Sequence, residues 1–203
     1  LFDEFDKDHY YVSSVHDPCP AMIPLSDLTR QDIQISSLTE ENRIKAVVIV
    51  KRTIEVAVRL GARWVVVVAG GIVGDRSRDR ELRKLWEAGL KDTAEYDALK
   101  TETIADRAKK APPHLEQVLK SLMEILAFAV DTKIAIAVEN RYRYYDIPII
   151  DEMQLLLDVS DADWYGFQYD CGHAQTLGAL GYSEHEEWLK RYGKRIIGTH
   201  LHD

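Results

Sequence analysis

Two short runs constrain the fold of this chain more than any other feature. Arg63–Val68 (RWVVVV) and Lys133–Val138 (KIAIAV) are apolar almost throughout and rich in β-branched residues. A strand with one wet face alternates apolar and polar side chains. A strand without alternation is covered on both faces, as in a parallel sheet wrapped by helices. The intervening segments fit that picture. Ile44, Val47, Val48, Ile54, Ala57 and Val58 recur at helical spacing before Gly61, a helix stop, and Ser37-Leu38-Thr39-Glu40 predicts a capping box at the start. Leu115, Val118, Leu119, Leu122, Ile125, Leu126 and Ala129 form a second stripe, and Pro112-Pro113 predicts the first turn of that helix. Tyr10–Val15, Trp164–Tyr169 and Thr199–Asp203 read as further strands, and Asp151–Val159 and Glu184–Tyr192 as further helices. Five strands with four helical connections imply right-handed βαβ units and an α/β fold around a parallel sheet.

Composition narrows the function classes. At 203 residues, 46% hydrophobic and 30% charged, the chain is expected to be globular and a single domain. With 26 Lys and Arg against 34 Asp and Glu, its net charge of −8 argues against a nucleic-acid partner, because phosphate contacts need clustered positive charge. No apolar run approaches the length of a membrane span, and the opening Leu1-Phe2-Asp3-Glu4 is not a secretory leader. Cys19 and Cys171 are too few for a disulfide framework, which predicts a reducing, cytoplasmic setting. Residues 74–111, with 10 basic and 9 acidic side chains, are predicted to be a charged insertion, either a solvated excursion or a lid. Within it Leu82, Leu85, Trp86 and Leu90 could share a helical face.

Ionisable residues follow the apolar part of four of the five strands: His16, Glu139, Asp170 with His173, and His200 with His202. In a closed parallel barrel the C-terminal strand ends share one rim, where active sites form. Carboxylates mixed with imidazoles suit a divalent metal such as Zn or Mn. Each residue also has a plainer reading. Glu139 could cap a helix or pair with Arg141, Asp170 could be an N-cap, and one of His200 and His202 could be a core histidine. Cys171 beside Asp170 admits a Cys/His nucleophile. His9, His114 and His185 read as surface residues. Ala69-Gly70-Gly71-Ile72-Val73-Gly74 nearly matches a dinucleotide fingerprint, although close backbone approach at a barrel rim explains its glycines more simply.

Val138-Glu139-Asn140, Asp170-Cys171-Gly172-His173-Ala174 and His200-Leu201-His202-Asp203, in this order at strand ends, resemble the sugar phosphate isomerase/epimerase family. This is the xylose isomerase-like TIM-barrel superfamily, AP endonuclease family 2, which also contains endonuclease IV. The resemblance implies a (β/α)8 barrel of which this chain supplies strands three to seven, an incomplete barrel truncated at both ends. It also implies a divalent-metal site (Mn, Zn, Mg or Co) with Glu139, Asp170 and His200 as ligands. Glu139 and His173 would be catalytic, and His16, Asn140, His173 and His202 would contact substrate. His202 and Asp203 would orient the ligands. The implied activity is isomerisation or epimerisation of a small sugar or related polyol or keto acid through a metal-stabilised enediolate. A dehydratase or lyase would share the first step. The alternatives are an endonuclease IV-like phosphodiesterase and a non-catalytic sugar-binding barrel. Against the former, Ala69-Gly70-Gly71 stands where endonuclease IV-like members carry His-Pro-Gly. The expected partner is a small sugar-like molecule, with neither membrane nor nucleic acid, and homo-oligomerisation is the general expectation for soluble enzymes.

Overall fold

In a computed structural model, which describes residues 6, 9–74 and 76–202, the apolar runs become the buried strands of one sheet. In chain order the main elements are β1 (Ser14–His16), α1 (Leu25–Arg30), α2 (Glu40–Leu60), β2 (Trp64–Val67), α3 (Arg76–Glu87), α4 (Ala94–Ala129) and β3 (Ala135–Glu139). They continue with α5 (Ile150–Leu157), β4 (Tyr165–Asp170), α6 (Cys171–Ala179), α7 (His185–Tyr192) and β5 (Ile196–His200). All four strand pairings are parallel, in the order β1-β2-β3-β4-β5. This is the incomplete (β/α) barrel expected from the sequence. Asp203, expected in the last strand and as a ligand-orienting group, lies outside the described residues, as do Leu1-Phe2-Asp3-Glu4 and Asp75.

The sheet is strongly curved. Trp64 of β2 reaches past β3, donating its indole N–H to Gln168 Oε1 of β4 at 3.1 Å, and closes on Gly198 of β5. A Cβ on Gly198 would lie 2.6 Å from Trp64 Cζ2, so this inner wall requires glycine. The rings of His16 on β1 and His200 on β5, the two edges of the sheet, stack with centroids 6.0 Å apart. In a flat sheet four strand spacings would separate them by about 19 Å.

Outside the sheet, α2 and α4 pack over β2 and β3. Val47, Val50, Ile54 and Ala57 of α2 meet Val118, Leu122 and Ile125 of α4 in one apolar cluster with Val65, Val67, Ile136 and Val138. Arg43 clasps the two helices. Fully buried, it donates to Glu124 Oε1 and Ser121 Oγ on α4 and to both carboxylate oxygens of Glu40. A second cluster joins Met153 and Leu157 to Phe167, Trp188 and Tyr192.

Several expectations are corrected. Ile44, Val48 and Val58 are exposed, because α2 carries apolar residues around most of its girth and Arg43 and Thr53 share the buried face. The capping box does not form. The Ser37 hydroxyl donates to Asp32, Glu40 turns to Arg43 and Lys120, and Thr39 is the N-cap through its carbonyl alone. Gly61 does close α2, in the left-handed conformation (φ 70°). Pro112-Pro113 does not begin a helix: α4 runs through both. The two prolines leave the carbonyls of Ala108 and Lys109 without helical donors, and all four residues are exposed, where water can serve.

Residues 74–111 are therefore α3 and the first half of α4. Within α3 and the turn that follows it, Leu82 is buried while Trp86 and Leu90 are exposed. Arg107 is buried. It grips Glu152 of α5 with a two-pronged pair (2.5 and 2.8 Å), and it also donates to the carbonyls of Tyr144 (2.5 Å) and Asp146 (3.0 Å). This one side chain fixes the loop after β3. Removing one partner of a buried pair strands the other charge, which costs about 3–5 kcal/mol, whereas an apolar pair of similar volume is often tolerated. Arg107→Leu is expected to lose about that much stability in urea unfolding, and Arg107→Leu/Glu152→Leu to regain only part of it, because the Tyr144 and Asp146 carbonyls remain without their donor.

Candidate functional site

The C-terminal strand ends bring the ionisable residues together. Glu139 ends β3 and Asp170 ends β4. In the β4–β5 register Asp170 lies opposite His200. Curvature adds His16 from β1. Glu139 and Asp170 are buried, while His16 and His200 keep some exposure.

Glu139 is the hub. Its Oε1 accepts from His200 Nδ1 at 2.9 Å. Its Oε2 pairs with Arg141 Nη1 and faces His16 Nε2 at 3.7 Å and His173 Nδ1 at 3.9 Å. Burial alone would raise its pKa. The facing His16 imidazole, the Arg141 guanidinium and His173 outweigh that and hold it at about 2. His16 moves the other way: burial lowers its pKa, but Glu139 and the Asp17 carbonyl leave a net rise.

Asp170 divides its carboxylate between two tasks. Oδ1 accepts the His173 backbone N–H at 2.8 Å and caps α6. Oδ2 faces His202 Nε2 at 3.1 Å, His200 Nδ1 at 3.4 Å and His173 Nδ1 at 3.7 Å. The N-cap and the rim-carboxylate readings therefore hold together. Glu139, Asp170 and His200 each offer a ligand atom, and the three atoms lie within 4.8 Å of one another. Two carboxylate oxygens and an imidazole nitrogen at that spacing are a donor set that fits a divalent cation.

Asn140, expected to contact substrate, is placed differently. It is fully buried, its Nδ2 donates to the Asp170 carbonyl (2.9 Å), and its Oδ1 accepts the Asp170 N–H (2.7 Å). It staples the ends of β3 and β4. His173 donates from Nδ1 to the Asn140 carbonyl at 2.8 Å and stands 4.9 Å from the Tyr142 ring. Cys171 accepts the His202 N–H through sulfur at 3.3 Å.

His114, read from sequence as a surface residue, is buried. It bridges loops by bonding the Ser36 carbonyl through Nδ1 (2.7 Å) and accepting the Val73 N–H at Nε2 (3.3 Å). His9 is exposed, and His185 is half-buried beside Tyr169. Gly70 and Gly71 mark a close backbone approach. A Cβ on Gly70 would sit 2.4 Å from Ser36 Oγ, and Gly70 has φ 90°.

The sequence reading missed the surroundings of Glu139. Arg141 entered it only as a partner for that carboxylate, and Tyr142, Arg143, Asp146 and Arg76 did not enter it. The run Arg141-Tyr142-Arg143, directly behind a strand-end glutamate, was the available signal.

Asp17 was also missed. It is buried behind His16, accepts from the Thr53 hydroxyl at 3.1 Å, and burial raises its pKa to about 6. The folded chain therefore holds a proton at Asp17 that the unfolded chain releases near pH 4. Its ionisation costs stability that is absent below about pH 4 and fully felt above about pH 6. Asp17→Asn is expected to be more stable than wild type by about 1–3 kcal/mol above neutrality. Urea unfolding across pH should show that gap closing as pH falls to about 4.

The family model described as the xylose isomerase-like TIM barrel matches residues 12–203. No curated protein matches the chain. Solved structures similar to it include a D-tagatose 3-epimerase-like protein, at 26% identity and TM-score 0.62 over 97% of this chain and 58% of that one. An L-ribulose 3-epimerase is similar at 12% identity and TM-score 0.61, over 96% of this chain and 60% of that one. A D-psicose 3-epimerase determined in the presence of D-fructose matches at 11% identity and TM-score 0.59, over 95% and 63%. The chain spans less than two thirds of the length of each. Among the described residues no helix is long and apolar enough to cross a membrane.

Proposed function

The chain belongs to the xylose isomerase-like TIM barrel family, and from that premise we propose that it is a divalent-metal-dependent isomerase or epimerase of a small sugar or related polyol or keto acid. The observation that carries this reading is the convergence of ligand atoms from Glu139, Asp170 and His200 within 4.8 Å at the strand-end rim. These three residues would hold the cation, and their donor chemistry admits Mn, Zn, Mg or Co. A divalent cation bound there supplies a Lewis acid that polarises a substrate carbonyl and makes the neighbouring C–H more acidic.

The remaining work falls to side chains. Glu139, held at about 2, is a carboxylate at all physiological pH and can take a proton from a substrate carbon at Oε2. Arg141 and His16 stand around that oxygen and set its charge. His173, anchored through Nδ1 to the Asn140 carbonyl, leaves its other ring nitrogen for a substrate oxygen. His16 is anchored likewise, from Nδ1 to the Asp17 carbonyl at 2.7 Å. His202 beside Asp170 Oδ2 orients that ligand oxygen and can contact substrate. Neighbours of this fold that act on ketoses, among them the L-ribulose and D-psicose 3-epimerases, support a sugar-like substrate. The phosphodiesterase alternative is less well supported, because Gly70 and Gly71 stand at the end of β2 with no imidazole there.

Glu139→Gln tests the reading. It is expected to lower turnover by about 10²-fold or more while the protein still folds, with a lower unfolding midpoint because Arg141 loses its buried carboxylate partner. Turnover is followed as solvent deuterium entering the substrate C–H. Wild-type protein should retain a divalent metal through desalting, and His200→Ala should lose it. Full activity in Glu139→Gln would overturn its assignment as base, and metal binding without deuterium entry would favour a binding barrel.

A further inference from the structure

Resting on the isomerase reading above, we infer that the substrate carries an anionic oxygen group, a phosphate or a carboxylate, seated on Arg76, Arg141 and Arg143 in the cavity beside the strand ends. The cavity has a volume of about 470 Å³. It lies between the loop after β1, the inner face of α2 and the loops after β2 and β3. Its floor is apolar, with Leu28, Ile35, Val50 and Val68, and its polar lining carries the three arginines beside Asp146, with Asp17 elsewhere on the lining.

The balance of charge on that wall is the first observation. Arg141 pairs with Glu139 and Arg76 makes a long contact with Asp146, which leaves Arg143 without a carboxylate within 4 Å among the described residues. A fourth arginine, Arg30, lines the same cavity and is already paired with Asp27.

The second observation is that donors are left over. Arg141 Nε is buried and has no hydrogen-bond partner among the described residues. The Asp146 Oδ2 atom stands 4.0 Å from it, beyond hydrogen-bonding reach. Arg76 Nη2 is 3.4 Å from Asp146 Oδ1, a long contact. A buried N–H without a partner is costly, and an oxyanion is the acceptor that matches the planar fork of a guanidinium.

The third observation is pre-organisation. The Tyr142 ring holds the Arg143 guanidinium at 4.9 Å and that of Arg141 at 5.8 Å. Gly71 makes room for Arg76, since a Cβ there would lie 2.7 Å from its Nη2. The apolar floor strengthens any charge pairing above it. Finally, the wall adjoins the proposed metal site directly. Arg141 reaches Glu139 Oε2 with Nη1 and turns its Nε towards Asp146, with Arg76 on the far side of that carboxyl. A small molecule with its reacting carbon at Glu139 thus meets the guanidiniums with a neighbouring group. A hydroxyl could accept one of those hydrogen bonds but could not balance the charge.

The test uses the full-length protein, with inorganic phosphate and acetate as probes in calorimetric titration, and Arg76→Gln and Arg143→Ala as variants. At least one anion is expected to bind wild type, with affinity falling as salt rises, and each variant should weaken it about tenfold or more. Preference for phosphate assigns a phosphorylated substrate, and preference for acetate a sugar acid. Absence of binding by both anions, or equal binding by wild type and both variants, overturns the inference. Divalent-metal binding is measured on the same samples. Metal retained without anion binding overturns the anion site and leaves the isomerase reading standing. Anion binding lost in the variants, with no metal bound by wild type, upholds the anion site and removes the metal chemistry.

Discussion

Sheet curvature decides which of these residues can meet. The strands are short and pair only with their sequence neighbours, so hydrogen bonding alone would leave the two edge strands far apart. The inner-wall contact of Trp64, Gln168 and Gly198 shows how the bend is accommodated: one large ring fills the concave side, one amide fixes it, and one glycine yields the space. Given that bend, the strand-end residues of β1, β3, β4 and β5 become neighbours, and the electrostatics of the rim follow. Glu139 stays ionised despite burial only because imidazoles from other strands and the arginine two residues on surround it.

The outer helices also set the rim. Arg107 sits near the end of the most highly charged stretch of the chain, yet it is spent inside, on Glu152 and on two carbonyls of the loop after β3. That loop carries Arg141, Tyr142, Arg143 and Asp146. The charged stretch is thus part of the support of the site, and the distance between surface composition and buried function is one side chain long.

Much of the fold was legible in the sequence because two-face burial leaves a strong mark. RWVVVV and KIAIAV could hardly be anything but inner strands, and both are. The stripe from Leu115 to Ala129 packs as its spacing indicates. Boundaries were less legible. A proline pair reads as a helix start, yet α4 tolerates it where the stranded carbonyls face water, and that depends on which side of the helix is wet. Ser37 and Glu40 have the right spacing for a capping box, but Asp32, Arg43 and Lys120 compete for them, and those competitors are set by tertiary structure. The same limit applies at the rim. Glu139, Asp170 and His200 are conspicuous at strand ends. The roles of Asn140 and Asp17 depend on which backbone groups fold against them, and neither composition nor period carries that information.

The divided carboxylate of Asp170 has a consequence for how the rim can be observed and how it can vary. One oxygen holds the first turn of α6 and the other faces the histidines, so a longer side chain at 170 disturbs both at once, whereas asparagine would keep the cap and change only the rim. The backbone amide of His173 is protected by the same oxygen. Its exchange with solvent deuterium therefore reports each opening of the helix end, and such an opening also displaces the partner oxygen at the rim. A single amide resonance gives a local clock for the integrity of the whole constellation.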